Sequence, residues 1–135
     1  MPILCNSINS RLGQIMEYEF DLPYPPSVNG YWRNFKGRQI ISKRGRDYRI
    51  DAINTLIRLG LSHERLEGRL SVSVIIHPPT LRKYDIDNWC KAPFDALTHA
   101  EFWNDDEQID SLSIKKAEKI KGGLFKIKVR VINSQ

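Results

Sequence analysis

Apolar and polar residues alternate along two stretches of the chain with the two-residue period of half-buried strands. Residues 17–22 alternate acidic with aromatic or aliphatic side chains, and residues 124–132 alternate lysine or arginine with isoleucine or valine. Successive side chains of a strand point to opposite faces, so one face of each stretch should pack and the other should meet water. Residues 70–77 are rich in valine and isoleucine, and we predict that they form a central strand. Residues 109–117 are predicted to form a further strand.

A period close to 3.6 residues predicts two helices. The first spans residues 43–61, with Ser42 as its N-cap and Gly60 at its C-terminus. The second follows the strand at 70–77 and spans residues 88–100, with Asp87 in the N-cap position. Both stretches place apolar residues on one side, which indicates that each helix packs against a sheet.

Prolines at positions 23, 25 and 26 end the first strand, and residues 27–32 read as a loop. Two short strands then flank a hairpin tip at Lys36–Gly37–Arg38. The whole pattern predicts an α+β fold: a mixed sheet of about five strands flanked by two helices, in the order ββαβαββ. A chain of 135 residues is long enough for one domain. Residues 1–16 show no clear period and are predicted to be an N-terminal extension to a single domain at 17–135.

Charge and cysteine usage narrow the class of protein. The net charge is +5, which suits a polyanionic partner such as nucleic acid. Cys5 and Cys90 lie far apart without metal-binding spacing, as is typical of a protein in a reducing compartment. No apolar run has the length of a membrane span, and the first residues do not resemble a signal peptide. We therefore expect a cytoplasmic protein.

An acidic stretch, residues 84–108, runs against this basic background. It holds five aspartates and two glutamates but only one lysine, Lys91, and no arginine. Clustered carboxylates repel one another unless a cation offsets them, and Mg²⁺ prefers carboxylate oxygens together with water and phosphate. Asp85 and Asp87 would point to the same side of an extended segment, and Asp105 with Asp106 could return toward them. The stretch therefore predicts metal-dependent chemistry on a phosphate.

Asp87, Lys91 and Asp95 are spaced four residues apart and would form a polar stripe along one helix face. A plainer interpretation is an exposed ladder of ion pairs, with Asp87 as an ordinary helix cap and Asp105–Asp106 in a solvated turn. His77 and His99 are candidates for general bases, although structural or exposed roles are expected of both.

A second charged region, residues 33–49, is basic, and aromatic residues are interleaved at its start. We predict that its cations, together with Lys83, contact DNA phosphates, while Trp32 and Phe35 either stack on bases or pack in the core. An ordinary solvated hairpin is the alternative, and the cationic face of residues 124–132 is a second candidate DNA surface. The predicted DNA-binding residues are Arg33, Lys36, Arg38, Lys43, Arg44, Arg46 and Lys83.

The acidic stretch resembles the signature of a known family. The resemblance is to the RusA family of Holliday-junction resolvases, and it extends over about residues 17–131. Pro93 and Glu101 depart from the family pattern, which commonly has an ordinary helix former and a glycine there. The matching residues are Asp85-x-Asp87-Asn88, Lys91, Phe94-Asp95-Ala96-Leu97 and Phe102-Trp103-x-Asp105-Asp106-x-Gln108.

The resemblance implies a Mg²⁺-dependent endonuclease, with Mn²⁺ as a substitute metal, that acts as a homodimer on four-way DNA junctions. It also implies a bacterial or prophage-encoded protein. Asp85, Asp87 and Asp106 would hold the metal, with Asp105 as a further candidate ligand. Lys91 would stabilise negative charge at the reacting phosphate, and Asp95 would orient Lys91. Two alternatives remain open: a nuclease for flaps or single-stranded gaps with the same site, and a branched-DNA-binding protein without activity.

Overall fold

Seven strands and three helices make up the part of the chain that the computed structural model describes, residues 6–10 and 15–132. The strands are β1 (Asn6–Ser10), β2 (Ile15–Leu22), β3 (Trp32–Phe35), β4 (Arg38–Ile41), β5 (Arg69–His77), β6 (Ile109–Lys116) and β7 (Leu124–Ile132). The helices are α1 (Val28–Tyr31), α2 (Lys43–Arg58) and α3 (Lys91–His99). Two 3₁₀ turns, Ile86–Asn88 and Asp106–Gln108, flank α3 along the chain.

The main sheet has the strand order β1-β2-β7-β5-β6, and β3 pairs with β4 in a separate hairpin. Only the β5–β6 pair of the main sheet is parallel, so the sheet is mixed and the predicted α+β class is confirmed. Although β6 and β7 are consecutive, they do not pair, because β5 lies between them. Residues 117–123 therefore cross the end of β5, where Ala117 N–H donates to the Ile76 carbonyl and Ile120 N–H to the Pro78 carbonyl.

One face of the main sheet carries the hydrophobic core. The predicted inward residues of β2, Tyr18, Phe20 and Leu22, are buried, and the rings of Tyr18 and Phe20 meet Phe102 edge-on. The corresponding residues of β5 and β7 are also buried, together with Leu97 from α3. The alternation in the sequence thus identified the packed faces of β2 and β7 correctly.

The opposite face of β2 and β7 is a ladder of opposite charges. Glu17 lies opposite Arg130, and the two neighbouring acidic–basic pairs continue in the same register along the strands. The Lys128 ammonium lies 3.9 Å from a Glu17 carboxylate oxygen. Cross-strand pairs of opposite charge stabilise a sheet surface. The cations of β7 are therefore offset by β2, which makes this face a poor surface for a polyanion.

Helix α2 begins as predicted, since the Ser42 hydroxyl accepts a hydrogen bond from Gly45 N–H at 3.0 Å. It ends at Arg58, three residues earlier than predicted, and Gly60 has a positive φ of 75°. Gly45 faces Tyr31, and a Cβ at this position would lie 2.9 Å from the Tyr31 carbonyl oxygen. The glycine therefore lets α2 contact the end of α1 directly.

Two elements near the start of the chain differ from the expectation. Residues 28–31 form the short helix α1 instead of a loop, because Ser27 accepts a hydrogen bond from Gly30 N–H and caps it. β1 lies in the region where no element was expected, and it pairs with β2 in antiparallel register. Its pairing depends on backbone groups, which the side-chain pattern does not reveal. None of the helices in the described ranges is long and apolar enough to cross a membrane.

Candidate active site

Helix α3 begins at Lys91, not at Asn88, so the prediction that Asp87 caps this helix is wrong. Pro93 explains the difference. In a helix from Asn88 its missing N–H and its ring would disrupt an interior turn, whereas in a helix from Lys91 it falls in the first turn, where N–H groups have no helical partner. Pro93, which departs from the family pattern, thus determines where the helix begins.

Asp85 and Asp87 lie in the connection between β5 and α3, and both are exposed. Asp87 belongs to the 3₁₀ turn Ile86–Asn88, so the two aspartates do not share an extended segment as predicted. Ile86, between the two aspartates, is 38% exposed because the turn lies at the surface. Since β5 ends at His77, a loop rather than the strand end carries Asp85.

Asp105 and Asp106 lie in the second turn, which Gln108 holds in place. The Gln108 side-chain carbonyl accepts hydrogen bonds from the backbone N–H groups of Asn104 and Asp105, each at 2.8 Å. Its amide nitrogen donates to the carbonyls of Leu66 and Gly68 at 3.0 and 2.9 Å. A single buried side chain therefore fixes the acidic turn to the segment before β5.

The neighbouring carboxyl groups of Asp105 and Asp106 differ in acidity. The Glu107 backbone N–H donates to Asp105 and, with a hydrogen bond between the two side chains, lowers the pKa of Asp105. Burial raises the pKa of Asp106, and Asp105 raises it further, while the nearby charge of Lys91 opposes the rise. Like charges at close range destabilise each other, so a cation beside this pair would be bound favourably.

Lys91 lies in a chain of polar contacts between three helices. Its ammonium is 3.3 Å from one carboxylate oxygen of Asp95, which confirms the predicted four-residue contact. The other Asp95 oxygen accepts a hydrogen bond from the Tyr31 hydroxyl at 2.8 Å, and that hydroxyl accepts one from Arg49 at 2.9 Å. The Lys91 ammonium also lies 5.5 Å from the centre of the Trp32 ring. Lys91 is thus held from two sides.

The described residues contain no group of three or more carboxylate, histidine or cysteine side chains placed to hold one metal ion. Asp85, Asp87 and Asp106 therefore do not converge as a three-carboxylate site. The donor chemistry nevertheless fits Mg²⁺, which takes hard oxygen ligands and usually binds through one or two carboxylates with water and substrate phosphates. The Asp105–Asp106 pair supplies such carboxylates, and substrate would supply further oxygens.

The hairpin β3–β4 carries exposed cations at its tip. Arg33 and Lys36 each lie 5.4 Å from the centre of the Phe35 ring, and Phe35 is 48% exposed. Trp32 is half-buried and packs against the cluster around Tyr31. The sequence left open whether Trp32 and Phe35 stack on bases or pack in the core. In the structure Phe35 is available for contact with a partner, and Trp32 belongs largely to the core.

Some of the cations that follow the hairpin have contacts within the protein, and others remain available to a partner. Lys43 pairs with Asp47 at 2.8 Å, Arg46 donates to the Ile41 carbonyl at 3.0 Å, and Arg49 contacts Tyr31. Arg44 is exposed and makes no ion pair with any described residue. Of the two histidines considered as candidate general bases, His77 is buried against the Glu118 carbonyl and His99 is exposed, in agreement with the structural or exposed roles expected of them.

Sequence reasoning missed three contributors to the site: Gln108, Tyr31 and Arg49. Gln108 carried a signal, because Asp105-x-x-Gln108 has the spacing of a capping box, and the structure forms that box. Tyr31 and Arg49 carried none, since their contact depends on the packing of α1 against α2.

Replacing Gln108 with leucine should destabilise the protein by about 3 kcal/mol, because four hydrogen bonds are lost and their partners stay partly buried. Chemical denaturation, followed by circular dichroism, measures this change. Glu107→Gln is the control, since its solvent-exposed contact with Arg69 should contribute much less to stability. Equal stability of the Gln108 and Glu107 variants would show that the turn is held by other contacts.

Comparison with known proteins identifies the family. The profile of the family described as Endodeoxyribonuclease RusA matches residues 23–132. The chain is 40% identical over 118 residues to the crossover junction endodeoxyribonuclease rusA of Enterobacteria phage HK97, a match that covers 87% of this chain and 98% of that protein. It is 36% identical, with the same coverage, to the enzymes of that name from Shigella sonnei and Enterobacteria phage 82. The chain therefore belongs to the RusA family of endodeoxyribonucleases.

Proposed function

We propose that this protein cleaves four-way DNA junctions by Mg²⁺-dependent hydrolysis of phosphodiester bonds, with paired incisions, in the cytoplasm of a bacterium. The observation that carries the proposal is the placement of Lys91, oriented by Asp95, beside the Asp105–Asp106 pair. An acidic metal-binding turn and a fixed cation are the two components that a reacting phosphate requires. The relatives named as crossover junction endodeoxyribonucleases support the choice of substrate.

The metal would be held by Asp106 together with Asp85, Asp87 or Asp105, and water and substrate oxygens would complete its coordination. When bound, Mg²⁺ would lower the pKa of a bound water molecule and neutralise charge on the phosphate. The protein's own contribution is positional. Gln108 keeps the Asp105–Asp106 turn rigid, whereas Asp85 and Asp87 occupy an exposed loop that meets the DNA.

Lys91 would stabilise the negative charge that develops on the phosphate oxygens. The Lys91 side chain is 40% exposed and so can reach a substrate, while the Asp95 side chain is only 20% exposed and stays with Tyr31. An ammonium that is fixed before the reaction contributes more than a mobile one, because no reorganisation is needed. The chain Arg49–Tyr31–Asp95 therefore orients Lys91 without touching the substrate.

Tyr31→Phe should lower the cleavage rate on saturated junction roughly ten-fold, as is typical when a residue that positions a catalytic group is lost. Lys91→Ala should lower it by roughly a hundred-fold or more. Single-turnover cleavage, measured well below the melting temperature, gives both numbers. Tyr48→Phe is the matched control, because the Tyr48 hydroxyl is also buried but donates to the Pro23 carbonyl at 2.8 Å. Equal rates for the Tyr31 and Tyr48 variants would contradict the positioning role.

Paired incision implies two active sites related by a two-fold axis, so we propose a homodimer. Supporting features are the position of β6 at the edge of the described sheet and two exposed apolar residues there, Leu112 on β6 and Ile86 in the turn beside it. Sedimentation equilibrium at micromolar concentration should give twice the mass of the chain. A monomer that still cuts both strands of a junction would contradict the proposal.

The decisive experiment compares cleavage of a synthetic four-way junction, a flap, a gapped duplex and a linear duplex, each with Mg²⁺ and with EDTA. We expect symmetric cutting of the four-way junction only, and only with Mg²⁺. If the protein cleaves the flap or the gapped duplex in preference to the junction, that DNA and not the four-way junction is its substrate. Binding without cutting under every condition would indicate a structural branched-DNA-binding protein.

A further inference from the structure

A cavity of about 480 Å³ lies beside the loop that carries Asp85. Its volume falls within the range of about 300–1,000 Å³ that is typical of small-molecule sites. Three aromatic residues and three cations contribute to its wall: Tyr24, Tyr84, Trp89, Arg44, Arg82 and Lys83. No carboxylate lines it, although Asp85, the first carboxylate of the acidic stretch, directly follows Tyr84 in the sequence.

The aromatic residues form a connected wall around Trp89. The Trp89 ring lies 5.3 Å from the Tyr24 ring and 5.7 Å from the Tyr84 ring. Tyr84 is fixed in turn by Lys116, whose ammonium lies 4.4 Å from the ring centre and donates to the Tyr84 carbonyl at 2.7 Å. Tyr24 packs against Gly123, where a Cβ would come within 2.6 Å of the tyrosine ring. The wall is therefore rigid and presents flat apolar surface.

The same wall presents unused hydrogen-bonding groups. The indole N–H of Trp89 and the hydroxyl of Tyr84 are buried, and neither has a hydrogen-bond partner in the structure. Buried polar groups are nearly always paired in folded proteins, so two unpaired groups in one cavity wall indicate a ligand. Arg44, Arg82 and Lys83 make no ion pair with any residue in the described ranges, and their charges suit a phosphate.

A second cavity of about 400 Å³ adjoins the first and connects it with the acidic loop. The two share Ser27, Arg82, Lys83, Tyr84 and Trp89, and the second also reaches Asp85. A ligand in the first cavity would therefore lie next to a proposed metal ligand. Aromatic surface, hydrogen-bonding groups and phosphate-binding cations in one cavity of this size match a single nucleotide.

We propose that this cavity, the Trp89 pocket, binds one unpaired nucleobase of the DNA substrate, stacked on Trp89 and the two tyrosines, with its phosphate held by the three cations. The inference rests on the proposed function, because a branched junction supplies bases that are unstacked at low cost at its crossover. Binding such a base would fix the neighbouring phosphodiester relative to Asp85. The pocket would thus select which bond near the crossover is cut.

The test uses four-way junctions in which each nucleotide around the crossover is replaced in turn by an abasic residue. Affinity is measured by fluorescence anisotropy in EDTA, so that the DNA stays intact. With the unchanged protein, the abasic residue at one symmetry-related position should weaken binding about ten-fold, the scale of losing one base–aromatic stack. Abasic residues at the other positions should have little effect.

Variants of Trp89 test whether the loss of affinity at the abasic position depends on the pocket. Trp89→Leu should bind the intact junction about ten-fold more weakly and no longer distinguish the abasic position. Trp89→Phe keeps an aromatic surface and should restore the distinction. Leu81→Ala is the control, because Leu81 lies in the same loop, is 84% exposed and lines neither cavity. Circular dichroism shows whether each variant is folded, and the abasic series with the unchanged protein does not depend on any variant.

If the protein prefers a four-way junction but binds every abasic junction with equal affinity, the proposed nucleobase pocket is wrong and the proposed function stands. A Trp89→Leu protein that is folded and still distinguishes the abasic position would lead to the same conclusion. Equal affinity for junction and linear duplex would instead overturn the proposed function, and with it the source of the unpaired base.

Discussion

Asp106→Asn should lower junction cleavage by roughly a hundred-fold or more, while junction binding in EDTA stays the same or becomes tighter. Asparagine keeps the size of the side chain but removes the negative charge that would bind the metal ion. Tighter binding is expected because a carboxylate beside the scissile phosphate repels it. Single-turnover cleavage and anisotropy titration, made on the same preparation, separate the two effects.

Asp51→Asn is the control for the loss of one negative charge, since Asp51 lies on the exposed side of α2. It should cleave within a few-fold of the unchanged protein. Asp87→Asn should behave like Asp106→Asn if the exposed loop contributes a metal ligand. Near-normal cleavage by the Asp106 variant would remove the Asp105–Asp106 turn from the mechanism.

Neutralising Arg38 and Arg44 together, each to glutamine, should weaken binding to junctions of any sequence and make it less sensitive to salt. Each contacted phosphate adds roughly 0.9 to the slope of log affinity against log salt, so two lost contacts should flatten the slope by about two units. Both side chains are exposed and make no ion pair with a described residue, so their charges remain available to phosphates. Affinities at four or five salt concentrations provide the slope.

Lys43→Gln offers a comparison within the same segment. Because Asp47 already offsets the Lys43 charge, this variant should change the slope by much less than one unit. An unchanged slope in the double variant would move the DNA surface away from the hairpin and α2. The cationic side of β7 is then a weak substitute, since the acidic residues of β2 lie opposite its cations.

Periodicity in the sequence was enough to predict β2, β5, β7 and α2, because each of these elements has one buried face, whereas β6 was predicted although none of its residues is fully buried. Its limits were physical. The position of β5 between β6 and β7 depends on pairing between distant segments, which leaves no local pattern. The start of α3 was predicted three residues too early because the cap was inferred from Asp87, whereas Pro93 decides where the helix begins.

The candidate site was predicted unevenly for a similar reason. The contact between Lys91 and Asp95 follows from helix geometry and was visible in the spacing. The contact of Asp95 with Tyr31 joins residues 64 positions apart, and it exists only because Gly45 lets α1 and α2 approach. Tertiary packing of this kind has no signature in a single sequence.

The place of β7 in the sheet has a consequence for how the protein folds. β7 is the last strand along the chain, yet it lies between β2 and β5 and joins the two halves of the sheet. Helix α2 can form from local contacts as soon as it is synthesised, but the β1–β2 and β5–β6 pairs stay separate until β7 forms between them. Non-local pairing of this kind slows folding. The acidic turn is anchored to the segment before β5, so nuclease activity should appear only after β7 has docked, and release of an active enzyme should be nearly all-or-none.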